Sequence, residues 1–190
     1  MIKLLEQIIE EETVHLETIQ ILVFQICYQE EIANILPDND IQNESLEEVA
    51  EKENGLVKQE FKEEFALKIE NVVEISKMLP ISLLPLASNN IEGVINLRGQ
   101  ILPIFSIIKK LGFESDSTKM NQIVIVKEQD KLMGFLLQNK PEILRISVDK
   151  IENTPEINNS NEVRKAYIQN VIKINERIIS LLDLKKILQN

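Results

Sequence analysis

A chain of 190 residues, 44% hydrophobic and 27% charged, has the balance of a globular protein rather than a disordered one. With no Trp and only 4% aromatic residues, its core must be built from Ile, Leu and Val, which excludes the stacking platforms used for sugars or unpaired bases. The formal charge of −10 is uneven: residues 1–20 carry five acids and one Lys, residues 31–60 nine acids and two bases, and residues 61–190 sixteen acids and eighteen bases. No Lys/Arg cluster of the kind that releases phosphate counterions is present, so nucleic acid is not an expected partner. Cys27 is the single cysteine, so neither an internal disulfide nor a thiolate metal site can form. The first residues show no basic region followed by an apolar run, which predicts a cytoplasmic protein without membrane insertion.

Ile2, Leu5, Ile9 and Leu16 fall on one helical stripe with Glu residues opposite, so residues 1–17 are expected to form an N-terminal helical extension. The run from Ile19 to Ile26 is short and rich in β-branched residues, the pattern of a largely buried strand. An acidic stretch at about 30–62 then reads as an insertion. Within it, Ser45-Leu46-Glu47-Glu48 has the form of a capping box and Gly55 of a helix stop, giving a short surface helix. The insertion is either an acidic partner-binding arm or a solvated loop, and long loops cost little closure entropy.

From Glu64 the chain alternates short strands with tight turns. Strands are expected at 65–69, 72–75, 94–97, 101–107, 123–126, 132–137, 143–148, 166–174 and 177–182, with polar turns at Arg98-Gly99-Gln100, Glu128-Gln129-Asp130 and Asn175-Glu176. Asp183 is placed as the N-cap of a closing helix that continues to Leu188. Many short strands with only brief helices between them imply antiparallel sheets or barrels, not a doubly wound α/β sheet.

No constellation for catalysis stands out. His15 is the one histidine and lies in the expected N-terminal helix, away from any nucleophile. The five glycines, at 55, 93, 99, 112 and 134, are too scattered for a phosphate loop, and Asp38-Asn39-Asp40 lacks the Gly and distal Glu of a calcium loop. Cys27 falls within the first strand pattern and reads as a small buried hydrophobe. The expectation is a non-enzymatic protein with no catalytic residue, no metal and no cofactor.

The most specific string is Ile91-Glu92-Gly93-Val94-Ile95-Asn96-Leu97-Arg98-Gly99-Gln100-Ile101-Leu102-Pro103-Ile104. It reads as a strand, a tight Arg-Gly turn and a second strand bearing Pro103, which is tolerated chiefly at an edge or bulge. Gly93 and Gly99 are assigned to turn geometry. Arg98 projects from a rigid apolar ribbon, suited to a bidentate or backbone-directed contact. Val94, Ile95 and Leu97 serve either a surface contact or the core.

This string resembles the CheW family of bacterial chemotaxis coupling proteins, whose pattern here is Gly-Val-(Ile/Val)-Asn-Leu-Arg-Gly followed by an apolar-Pro strand. The likeness extends to Leu22-Val23-Phe24, to Phe65 through Ile75, to Leu111-Gly112, to Glu142 through Ile146, and to Tyr167-Ile168, Val171, Lys173 and Ile179 through Leu184. It covers residues 18 to 188. Four departures stand out: the insertion at 29–62, Leu137-Gln138-Asn139-Lys140-Pro141 where Pro141 should break a strand edge, Ser106 where Asp is frequent, and Asn170 where Gly is usual.

What the resemblance implies is a mainly β fold of two small five-stranded β-barrel subdomains packed together, with an N-terminal helix and a short C-terminal helix. The domain would span residues 18–190. The implied function is a non-catalytic adaptor that couples chemoreceptors to a CheA-type histidine kinase. Its partners would be the kinase regulatory domain and the cytoplasmic tip of methyl-accepting chemoreceptors, with recruitment to membrane receptor arrays. Receptor contact would fall at or near Val94, Asn96, Leu97 and Arg98. The alternative is a CheW-like scaffold in another pathway, such as surface motility.

Overall fold

The computed structural model describes residues 17–33, 56–85, 90–114, 120–153 and 162–189. The expected N-terminal helix, His15 and the capping box at Ser45 lie outside the described residues.

Among the described residues, eleven strands form two sheets. They are β1 (Thr18–Ala33), β2 (Leu56–Lys68), β3 (Val72–Lys77), β4 (Ile91–Leu97), β5 (Gln100–Phe105), β6 (Gln122–Glu128), β7 (Lys131–Leu137), β8 (Glu142–Ser147), β9 (Ile151–Asn153), β10 (Ile168–Ile174) and β11 (Arg177–Leu182). The helices are short: α1 (Ile107–Lys110), α2 (Glu162–Tyr167) and α3 (Leu184–Leu188). The six-stranded sheet has the order β8-β1-β2-β11-β10-β9, and the five-stranded sheet the order β3-β6-β7-β5-β4. The first half thus has one strand more than expected, the three-residue β9.

Both sheets come round on themselves. β8 and β9 are the two edges of the six-stranded sheet, yet only the turn Val148–Lys150 separates them in the chain. Four Cα steps from Ser147 to Ile151 reach about 14 Å at most, whereas a flat sheet of this width is about 24 Å across. The sheet must therefore roll until its edges meet. In the five-stranded sheet, the chain leaving β3 returns to the far edge, where Ser82 and Val94 exchange two backbone hydrogen bonds of 2.9 Å. These are the two barrel-like halves. The five-stranded half is continuous in sequence and is inserted between β2 and β8.

β1 is buried on both faces, as its unbroken apolar run requires. Ile21 and Val23 join Ala66, Ile146, Ile172, Ile179 and Leu181 inside the six-stranded half. Leu22, Phe24 and Ile26 point the other way, into a larger cluster that also holds Phe65 and Leu67 and, from the five-stranded half, Ile95, Leu102, Ile104 and Ile123 through Val126. Each such side chain contributes about 1.5–3 kcal/mol on burial, so the two halves are held together by a shared core rather than a surface contact.

Four local expectations change. The strand expected at 166–174 begins only at Ile168, because Ala166 and Tyr167 end α2. The strand expected to reach Ile107 ends at Phe105, and Ser106 caps α1 by accepting a hydrogen bond from the Lys109 N–H at 3.3 Å. The ladder between β1 and β2 continues to the pair Ala33 and Leu56, so both ends of the acidic insertion expected at about 30–62 are paired backbone. Pro103 is not on an edge strand, since β5 lies between β7 and β4. Its partner in β4 is Val94, whose N–H and C=O both point outward to Ser82. Pro103 therefore faces no acceptor on β4, and the β7 ladder begins only at Ile104.

Candidate functional site

The β4–β5 hairpin closes through Arg98 and Gly99 alone, with Leu97 paired to Gln100. Arg98 has φ +54° and Gly99 φ +88°, the left-handed pair that matches the twist of a two-residue hairpin. Asn96 completes the turn, its Oδ1 accepting the Gly99 N–H at 2.7 Å. Gly93 is not part of this turn. It sits at a bulge in β4 with φ +145°, where an added Cβ would lie 2.4 Å from the Ser82 carbonyl oxygen. Its conformation lets the barrel seam close.

Arg98 is 79% exposed, and its Nη2 lies 2.9 Å from Oε2 of Glu74 on β3. The remaining guanidinium N–H groups face outward, so the side chain is braced on one side and available on the other. Exposed aliphatic residues lie on the same half: Val73 and Ile75 on β3, Leu83 and Leu84 in the β3–β4 connection, and Ile101 opposite Asn96. A positive, directional donor on a half that also exposes aliphatic residues suits a protein surface carrying both apolar and acidic or carbonyl groups. Of the other residues assigned to this site, Val94 is half-buried and held by Ser82, and Leu97 is half-buried against the main core. Ile95 is core.

Several residues to which sequence reasoning gave no such role shape the protein here and in the other half. Glu74 was visible only as a lone charge in an apolar strand. Gln138 is buried at the end of β7 and clasps the backbone of Cys27, accepting its N–H at 2.8 Å and donating to its carbonyl at 3.1 Å. β8 pairs with β1 only from Thr18 to Val23, so the Gln138 carboxamide stands in for a missing strand residue. Pro141, the expected strand breaker, is buried just before β8 starts, and Cys27 itself is half-buried. Asn170 donates to the Glu152 carbonyl at 3.3 Å and so ties β9 to β10 at a bulge.

Across the end of the six-stranded sheet, Arg177 on β11 reaches Glu64 on β2 with bonds of 2.8 and 2.9 Å, and also Glu142 on β8. Gln25 on β1 donates to the same Glu64 carboxylate at 3.1 Å. Burial alone would push the Glu64 carboxyl up, but hydrogen bonds from Arg177 and Gln25 and the guanidinium charge hold it below the usual range. The same hydrogen bonds to Glu64 and Glu142 raise the Arg177 guanidinium further.

Residues 58–190 match the family model for the CheW-like domain. The chain belongs to this family. It is similar to the chemotaxis protein CheW of Thermotoga maritima, with 34% identity over 64% of this chain and 76% of that protein. It is 32% identical to the probable chemotaxis protein CheW of Rhizobium etli, over 65% of this chain and 79% of that one. With the chemotaxis protein CheW of Helicobacter pylori it shares 30% identity over 67% of this chain and 76% of the other. Its fold resembles the crystal structure of the scaffolding protein TtCheW from Thermoanaerobacter tengcongensis, with a TM-score of 0.64 and 23% identity over 92% and 94% of the two chains. The expected mainly β fold is present, arranged in two sheets. In a CheW-like chain the hairpin bearing Arg98 lies within the matched region, as do Glu74, Gln138 and Arg177.

Proposed function

We propose that this CheW-like protein couples methyl-accepting chemoreceptors to a CheA-type histidine kinase without catalysing a reaction itself. The observation that carries this reading is the braced hairpin: an exposed Arg98, fixed by a two-residue turn and an ion pair to Glu74, on a half of a CheW-like domain that also exposes aliphatic side chains. Arg98 makes the contact with the cytoplasmic receptor tip. Asn96 holds the turn that aims it, and Val94 and Leu97 fix the strand from which it projects. Kinase contact falls to the regulatory domain of the CheA-type partner. Coupling then follows from geometry and mass action: a receptor change alters the equilibrium of a kinase held beside it, and weak contacts are strengthened by multivalency in an array.

The unit that does this runs from residue 18 to residue 190, a reading supported by β1, which is paired on both sides, with β8 and β2, in the six-stranded sheet. Among the described residues no helix is long and apolar enough to cross a membrane, and the protein reaches receptor arrays from the cytoplasm through its partners.

The test is co-purification with a CheA-type kinase and a receptor cytoplasmic fragment, followed by a receptor-stimulated kinase assay. Coupling that is present with the parent chain and lost with Arg98→Glu supports the reading. Retention of neither partner by the parent chain defeats it and leaves a CheW-like scaffold of another pathway.

A further inference from the structure

A second cluster, remote from the hairpin, joins the two halves through a buried charge. Arg164 on α2 is 8% exposed, and its Nη1 donates to Oε1 of Glu63 on β2 at 2.5 Å. Tyr28 on β1 donates its hydroxyl to the same oxygen at 2.7 Å. The guanidinium lies 3.8 Å from the ring centroid of Phe113 and 5.4 Å from that of Tyr28. The two rings are 4.6 Å apart, and Phe61 stacks on the other side of Tyr28 at 5.7 Å. Phe113 follows α1 in the five-stranded half, whereas α2 leads directly into β10 of the six-stranded half. One guanidinium, carried by the helix that leads into β10, therefore touches both the β1–β2 ribbon and the segment that follows α1.

We infer that the Glu63–Arg164 pair is a conformational lock that sets the register at which α2 docks between the two halves, rather than a source of net stability. Desolvating a guanidinium and a carboxylate consumes most of what their attraction returns. Here the return is incomplete, because the buried Arg164 Nε has no hydrogen-bond partner among the described residues. Apolar residues of the same bulk would fill the site at no loss. They would also accept α2 in more than one position, since aromatic faces offer no directional preference to an aliphatic chain. The ion pair removes that freedom: α2 shifted along the ribbon would leave Arg164 against Phe113 and Tyr28 without its carboxylate, a state far costlier than the docked one. Fixing α2 fixes the start of β10, which hydrogen-bonds to both β9 and β11.

The test uses the full chain and needs no partner. The double variant Glu63→Leu with Arg164→Met is expected to unfold within about 3 °C of the parent or above it, while amide exchange across 162–167 and 107–113 quickens at least about tenfold. Glu63→Leu alone, which strands the guanidinium, should lower Tm more than the double change does. Arg164→Lys, which keeps the charge but loses the planar contact over Phe113, should quicken exchange in α2 with little change in Tm. The inference is overturned if the double variant unfolds as low as Glu63→Leu, since the pair would then be a stabilising contact. Unchanged exchange in α2 in the double variant overturns it as well, since apolar packing alone would then place the helix.

Discussion

Arg98 and Glu74 stand 2.9 Å apart although β4 and β3 are at opposite ends of the five-stranded ladder. Their ion pair joins the two edges of the sheet, as the Ser82–Val94 bridge ties the chain leaving β3 to β4. The residue proposed to meet a partner is thus also a tie between the two edges of its own barrel. Because Arg98 is largely exposed, the stabilising share of the pair is small, about 0.2–1 kcal/mol. Arg98→Glu should leave the folded state nearly as stable, by thermal melting, while abolishing retention of a receptor fragment. The exchange Arg98→Glu with Glu74→Arg restores the seam but places the cation on β3. It should recover Tm and not binding, and recovery of binding would show that the pair, not the position of Arg98, carries recognition.

Two glycines should respond differently to the same substitution. At Gly93 a Cβ meets backbone, 2.4 Å from the Ser82 oxygen, and the φ of +145° is itself unfavourable for any other residue. At Gly134 on β7 the nearest atom is the tip of the Ile104 side chain, also at 2.4 Å. A side-chain tip can rotate away and a bridging carbonyl cannot. Gly93→Ala should cost roughly 2–4 kcal/mol and Gly134→Ala less, measured by urea unfolding. The reverse order would show that the bulge can open without loss of the seam.

The pH dependence has two separate limbs. Glu64 has a folded pKa below its unfolded value, so its contribution is present above the unfolded pKa and is lost as pH falls through the folded one. Arg177→Met removes the hydrogen bonds responsible and should flatten stability loss on the acid side. Tyr28 is raised from 10.0 to about 12, first by burial and then by its bond to Glu63 and the charge of that carboxylate. Its contribution is complete below pH 10 and declines as pH rises toward about 12. Tyr28→Phe should remove this alkaline limb, followed by thermal melts across that range, and phenolate absorbance of the parent should show a late phase that Tyr28→Phe removes. A parent phenolate curve without that late phase would contradict the environment described for Tyr28.

Gln138 presents its amide to Cys27 as a strand would present its backbone. Gln138→Ala leaves both Cys27 groups without this partner and should cost about 1–3 kcal/mol. Gln138→Glu keeps the acceptor but sets an anion against the Cys27 carbonyl, so it should not rescue the loss. Exchange at the Cys27 amide is the local readout, and protection equal to the parent in both variants would count against the clasp.

The paired backbone at Ala33 and Leu56 gives a natural point at which to shorten the acidic segment. Joining these two residues through an Asn-Gly turn should preserve the ladder and raise stability by about 2 kcal/mol, the closure entropy saved by the shorter connection. Kinase and receptor retention equal to the parent would make residues 34–55 a spacer; loss of either would make them a binding arm.

Elements fixed by local chemistry were legible in the residues themselves. Arg98-Gly99 between apolar runs demanded a tight hairpin, and Asp183 before Leu184 announced the helix that it caps, accepting the Lys186 N–H at 3.1 Å. Where two signals overlapped, the boundary was lost: Ala166-Tyr167-Ile168 continues an apolar run, so α2 merged with β10. Contacts between distant residues left no trace. Arg164 and Glu63 are 101 positions apart, and Cys27 and Gln138 are 111 apart. The places where the chain departs from its family pattern were visible, but not their roles. Ser106 became a helix cap, Asn170 a tie to β9, and Gln138 a substitute for a strand residue.

The insertion of the five-stranded half between β2 and β8 has a consequence during synthesis. Once residue 137 has left the ribosome, every strand from β3 to β7 is available, and that half can close while the rest of the chain is still being made. β1 and β2 must wait longer. β2 needs β11, and their parallel contact joins Glu64–Ala66 to Ile179–Leu181, almost the last strand residues translated. Until then the apolar faces of the β1–β2 hairpin have only the finished half to lean on, through Phe24, Phe65 and Leu67. The nascent protein therefore exposes its longest strands the longest, and the early-closing half acts as their first shelter.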